Sequence, residues 1–144
     1  MEYNVADTED VPITDLSEIE EIPPDLDIRA LDEALGLQNV SLKLWYFEEG
    51  EEIQFHAHSE QEEVYYIMEG EFSLKLGRSD EEEFVEAGPG TAWVAEPMIG
   101  HGHRCISEGG GTVLAIGAPS VEDPGLDPHS LDDEEIDDAL DDQA

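Results

Sequence analysis

The stretch from Gly50 to Gly70 carries the residues whose types and spacing could do chemistry. His56 and His58 stand two apart, so in an extended strand both imidazoles project from one face. A polar turn, Ser59 to Glu62, follows, and Glu63 then opens the apolar run Val64 to Met68. Two imidazoles and a carboxylate on adjoining strands make a seat for a divalent transition metal, and ligand type alone admits Fe, Mn, Ni, Co, Cu or Zn. Further along, His101 and His103 repeat the two-residue spacing and can bring an imidazole from another strand. The lone Cys105, in phase with both, rules out an intramolecular disulfide and a cysteine-based zinc cluster.

Those side chains need strands to hold them, and the chain supplies strand patterns. Val40, Leu42, Leu44 and Tyr46 alternate with Ser41, Lys43, Trp45 and Phe47 up to the acidic turn Glu48-Glu49-Gly50. Ile53 to His58 and Glu63 to Met68 follow as strands, and then Phe72, Leu74 and Leu76 alternate with polar residues. A charged hairpin tip spans Arg78 to Glu82, and Phe84-Val85, Ala92 to Ala95, His101 to Ile106 and Thr112 to Ile116 complete the set. About eight short strands punctuated by Gly, Pro and acidic turns predict an all-β, closed or sandwiched antiparallel domain. Residues 26–120 are that domain. Arg29 to Leu37 allows a short helix that Gly36 stops. Residues 1–25 form an acidic N-terminal arm, in which Leu16, Ile19 and Ile22 recur at a spacing that fits a turn of helix. Residues 121–144 form an acidic linker and a short helix, Leu131 to Leu140, with Ser130 placed to cap it.

The charge is lopsided: 39 Asp and Glu face 5 Lys and Arg, for a formal charge of -34. Residues 1–27 carry 10 of the acids and residues 130–144 carry 8, which leaves 21 between them beside all five bases. The domain itself is therefore acidic. Such self-repulsion weakens a compact state at low salt, whereas at molar salt the Debye length falls to about 3 Å. Acid spread along the whole chain reads as salt adaptation, similar to cytoplasmic proteins of extreme halophiles. Nucleic acid is a poor partner for this surface. No basic-then-apolar leader opens the chain, and no apolar run reaches the roughly 18 residues a membrane span needs, so a cytoplasmic protein off the membrane is expected.

The motif intervals resemble those of a small single-domain cupin of the type 2 kind. That family's first motif reads Gly, five residues, His-x-His, three or four residues, Glu, six residues, Gly. Gly50, His56, His58, Glu63 and Gly70 meet every interval, whereas Glu62 would leave seven residues before Gly70. The second motif, Gly, five residues, Pro-x-Gly, two residues, His, three residues, Asn, is met loosely. Gly90 and Pro97 have six residues between them, Pro97-Met98-Ile99-Gly100 has one too many, and Ser107 stands at the Asn position. Counting from Gly100 selects His103.

The resemblance implies a double-stranded β-helix, or jelly-roll barrel, with a metal held at its wide end by His56, His58, Glu63 and His103. His101 would then sit near the rim, contacting the ligands or a substrate. Strand parity offers Tyr65, Trp45, Trp93 and Met98, with Ile67 and Phe55 or Ile53, as an apolar wall, although ordinary core packing explains each of them. Four ligands on an octahedral ion leave two positions for a small chelating molecule. A dioxygenase, isomerase or decarboxylase is expected, and the competing expectation is a non-enzymatic binder or sensor of a sugar, anion or metabolite. The resemblance further implies a homodimer.

Overall fold

The computed structural model describes residues 2–15, 26–119 and 126–141. The expected apolar triplet Leu16, Ile19 and Ile22 lies outside the described residues. In chain order the strands are β1 (Ile13–Asp15), β2 (Asp27–Ala30), β3 (Ser41–Phe47), β4 (Glu52–His56), β5 (Glu62–Glu69), β6 (Phe72–Gly77), β7 (Glu83–Ala87), β8 (Ala92–Ala95), β9 (Gly100–Cys105) and β10 (Gly111–Ala118). A short helix α1 (Leu31–Leu35) joins β2 to β3, and α2 (Asp133–Asp141) ends the described chain.

All pairings are antiparallel and fall into two sheets. One has six strands in the order β1-β2-β3-β10-β5-β8, and the other has four in the order β4-β9-β6-β7. This is the all-β antiparallel architecture that the strand pattern predicts, and it agrees with the jelly roll that the resemblance implies. Tyr65, Ile67, Val113 and Phe47 from the larger sheet meet Ile53, Phe72, Leu74 and Cys105 from the smaller in one core. Burial of that apolar surface is the main force closing the sheets on each other. Among the described residues no helix is long and apolar enough to cross a membrane.

Register shows which face of β3 is inward, something its two apolar faces left open. Trp45 lies opposite Val113 and contributes to the core with Phe47, while Leu44 lies opposite Leu114 on the outer face. That outer face carries two apolar rows across four strands. Leu42, Ile116, Val64 and Val94 form one, and Leu44, Leu114, Tyr66 and Ala92 form the other. Val94 is 53% exposed and Tyr66 43%.

The terminal segments are tied to the barrel. β1 extends the larger sheet by pairing with β2. α1 is shorter than the expected helix and stops at Gly36, whose φ of 72° suits glycine. Asp32 anchors it by accepting from the Leu42 N–H (2.9 Å) and Lys43 Nζ (2.6 Å). At the other end Leu126 pairs with Ala57 through two backbone hydrogen bonds (2.7 and 3.0 Å), covering the chain just beyond β4. α2 starts later than expected: Asp132, not Ser130, accepts from the Glu135 N–H (2.8 Å). Arg78 reaches Asp133 and Asp137, one turn apart on the same face. β7 is the outer edge of the smaller sheet, and its Phe84 is 71% exposed.

Candidate metal centre

His56 ends β4, and Glu63 and His101 are the second residues of β5 and β9, so three strands deliver side chains to one end of the barrel. His58 lies beyond β4, after Ala57, the residue pinned by Leu126. The expected single strand from Ile53 to His58 therefore ends two residues early, and the backbone turn carries His58 to the same place. One ligand atom from each of His56, His58, Glu63 and His101 lies within 4.8 Å of all the others. Donors on opposite sides of one ion at about 2.1 Å would be about 4.2 Å apart. Closing on an ion thus asks shifts of a few tenths of an ångström.

The backbone sets the imidazoles to face inward as bases. His56 Nδ1–H donates to the Gln54 carbonyl (2.8 Å), and His101 Nδ1–H donates to the Ile99 carbonyl (3.1 Å). In each ring Nε2 is left as the acceptor. His101 Nε2 is buried without a hydrogen-bond partner, 3.7 Å from Glu63 Oε2. His58 Nε2 meets Glu63 Oε1, and Tyr65, fully buried, donates its hydroxyl to Glu63 Oε2. Three imidazoles thus close on one carboxylate that Tyr65 also holds, a set of donor atoms that could take a cation.

The electrostatics agree. Burial and the neighbouring His101 push the His56 imidazole down to about 4, despite some help from Gln54 and Glu63. Burial alone would raise the Glu63 carboxyl, but the imidazoles of His101 and His58 outweigh it and hold the group well below the usual carboxylate range. At neutral pH His56 is therefore a neutral base and Glu63 a carboxylate, the forms that bind metal.

The structure does not bring the expected His103 into this group; His101 takes the place beside His56. The cause is one irregularity in the β4–β9 ladder. Ile53 lies opposite His103, and an unbroken ladder would set Phe55 against His101. The register shifts between Ile53 and His56, so that His56 is opposite His101 instead. An extra residue on β4 is absorbed as a bulge. Gly102 makes room for it: a Cβ there would lie 2.9 Å from the Ile53 carbonyl oxygen and 3.0 Å from the Phe55 nitrogen. The surplus residue between Pro97 and Gly100 is absorbed too. Met98 adopts φ 72°, and its N–H donates to the His58 carbonyl (2.6 Å). Met98 is thus bound to the site by its backbone, half-buried in the loop before β9. Glu62 is exposed on the far side of β5 from Glu63.

His103 lies one step deeper, 2% exposed, against His101 at 1%. Trp45 stacks parallel to it at 5.6 Å, and Phe47, Tyr65 and Trp93 approach within 5.1–5.3 Å. Both its ring nitrogens are without partners, as are Nε1 of Trp45 and Nε1 of Trp93. Each such group costs about 1–3 kcal/mol when left unpaired. Burial, with His101 and His56 nearby, takes the His103 imidazole down to about 3. Sequence spacing pointed to Tyr65, Trp45 and Trp93 as wall residues; the structure places their rings around His103, and Tyr65 also reaches Glu63. A separate depression of about 340 Å³ on the outside of the smaller sheet is lined by Phe55, Lys75, Phe84 and Arg104 among others, and none of the four clustered residues lines it.

Two antiparallel sheets closed around a convergent His/Glu group define a small jelly-roll barrel whose chemistry is lodged at its inner end. The sequence profile of the cupin domain matches residues 43–117, just over half of the chain, and the chain belongs to the cupin family. Solved structures of similar shape include the polyketide cyclase RemF from Streptomyces resistomycificus, at 23% identity over 92% of this chain and 89% of that one, with a TM-score of 0.68. An RmlC-like cupin from Shewanella frigidimarina is 21% identical over 85% of this chain and 97% of that one, with a TM-score of 0.64. A cupin sugar phosphate isomerase from Silicibacter pomeroyi is 20% identical over 81% and 76%, with a TM-score of 0.65. At these identities the likeness is one of fold. No functionally curated protein matches the chain.

Proposed function

We propose that this cupin is a metalloprotein that holds a divalent transition metal through His56, His58, Glu63 and His101, and that it acts on a small metal-chelating molecule. The convergence of four donor atoms within 4.8 Å carries this reading, with two Nε2 atoms turned inward by backbone acceptors. A bound ion would supply Lewis acidity or a redox centre. The chain's part is to set the ligands: Gln54 and Ile99 fix two imidazoles, and Tyr65 fixes the carboxylate. Four protein ligands leave two octahedral positions open, enough for a bidentate substrate. A cyclase and an isomerase among the proteins of similar shape illustrate how many reactions one barrel serves, so the reaction class is not assigned from the fold.

A homodimer and a salty cytoplasm belong to the same proposal. The uncharged rows on the outer face of the larger sheet support the first, and acid spread over the whole chain supports the second. The decisive measurement is metal content of protein purified in high salt without added metal, followed by titration of the stripped protein with Mn(II), Fe(II), Ni(II) and Zn(II). About one ion per chain is expected, with His101→Ala weakening binding at least tenfold and His103→Ala leaving it within a few-fold. Substoichiometric metal, with no uptake of any of the four ions, would sink the reading.

A further inference from the structure

Beneath the His/Glu cluster is a second set of polar atoms that the metal reading does not use. Nε1 of Trp45, Nε1 of Trp93 and both nitrogens of His103 are buried without a partner among the described residues. Buried polar atoms are nearly always paired, so four in one place call for a polar occupant. The four belong to three rings, with the centres of Trp45 and Trp93 lying 5.6 and 5.3 Å from that of His103. The two tryptophan rings are only partly buried, whereas His103 is enclosed.

We infer that His103, Trp45 and Trp93 form a donor-rich subsite that takes a carboxylate of the small molecule bound in the barrel. The stoichiometry of hydrogen bonding points to that group. Two indole N–H groups and the single N–H of a neutral imidazole make three donors against one acceptor nitrogen. The occupant must therefore be rich in acceptors, and a carboxylate offers two oxygens with about four lone-pair sites. Charge points the same way, and here the inference rests on the proposed metal. A divalent ion with Glu63 and three neutral imidazoles carries one positive charge, which a monoanion cancels inside the barrel. Size is compatible: His101 and His103 are two residues apart on β9, about 6.6 Å, so a molecule of a few heavy atoms can touch both levels.

Trp45 and Trp93 are the only tryptophans in the chain, so intrinsic fluorescence reports on this subsite directly. The probe is sodium acetate, titrated at constant ionic strength against sodium chloride. A saturable fluorescence change with millimolar affinity is expected, present in metal-stripped wild type and in His56→Ala, and tighter in metal-loaded protein. His103→Leu should weaken acetate at least tenfold while melting no lower than wild type without acetate. His103→Gln, which keeps a donor and an acceptor, should stay within a few-fold of wild type, and Trp93→Phe, which removes one donor and should weaken acetate at least several-fold, serves if the leucine variant fails to fold. A response no different from chloride, or the same acetate affinity in all His103 variants, overturns the subsite. If acetate binds as described but no metal does, the metal reading falls and the subsite stands.

Discussion

His56 is a neutral base because of where the chain leaves it: buried, beside another imidazole, with its only donor committed to Gln54. His103 is neutral because it is enclosed. Both consequences can be measured in the metal-free protein. An unfolded imidazole titrates near 6.5, whereas in the folded chain these two do so only at about 4 and about 3. Between those limits the unfolded state binds protons that the native state refuses, so stability must fall as pH drops below about 6.5 and stay flat above it. Glu63, depressed when folded, adds a loss of the same sign once pH falls below its unfolded value of 4.5. Unfolding free energies from urea titrations of the stripped protein in molar NaCl, where surface repulsion is screened, should drop between pH 7 and pH 5 by on the order of 4 kcal/mol. A midpoint that is constant or rising on acidification would contradict this. At this scale the sequence was informative about Gly50 to Gly70, since His56, His58 and Glu63 are fixed by intervals that the fold keeps. Counting from Gly100 selects His103, whereas the register beside His56 brings in His101, a difference that counting along one strand cannot show.

Regularity fails in β4, and the element that carries the failure is the bulge over Gly102. Nothing in the residues from Ile53 to His56 announces it, because a bulge changes opposition between strands without changing alternation within one. Gly102, between two histidines, was the available sign: a glycine inside a strand marks a close backbone approach. Gly102→Ala should drive the new Cβ against backbone atoms of Ile53 and Phe55, which cannot rotate aside. We expect a stability loss of roughly 1–3 kcal/mol and at least a tenfold loss of metal affinity, as His56 moves out of register with His101. Gly109→Ala, where a Cβ meets nothing within 4 Å, is the control and should change neither. Metal affinity unaltered in Gly102→Ala would separate the bulge from the site. The eight strands from β3 to β10 were legible from period-two patterns and Gly/Pro punctuation. The start of α2 was not, since in a run of acids Asp132 and Ser130 are equally able caps and only the backbone path chooses.

For the whole molecule, 39 acids must coexist with one barrel. Raising NaCl from low to molar concentration should increase the melting midpoint by several degrees or more as the repulsion is screened. A midpoint indifferent to salt would remove the case for adaptation. The outer rows of the larger sheet should bury themselves against a second copy under the same conditions, giving a dimeric mass by sedimentation. Tyr66→Glu or Val94→Asp should return the monomer, and a wild-type monomer in molar salt would refute the interface. No composition argument could place that face, because β3 and β5 are apolar on both sides and only register separates them.

β7 adds a consequence of a different kind. Among the described residues it ends its sheet with an unpaired backbone edge and an exposed Phe84, the sort of strand that recruits strangers into a growing ribbon. Glu81, Glu82, Glu83 and Glu86 stand beside that phenylalanine as electrostatic gatekeepers. Brine that calms the rest of the surface also silences those sentries, so the barrel is most prone to stack edge to edge where its fold is otherwise most at ease.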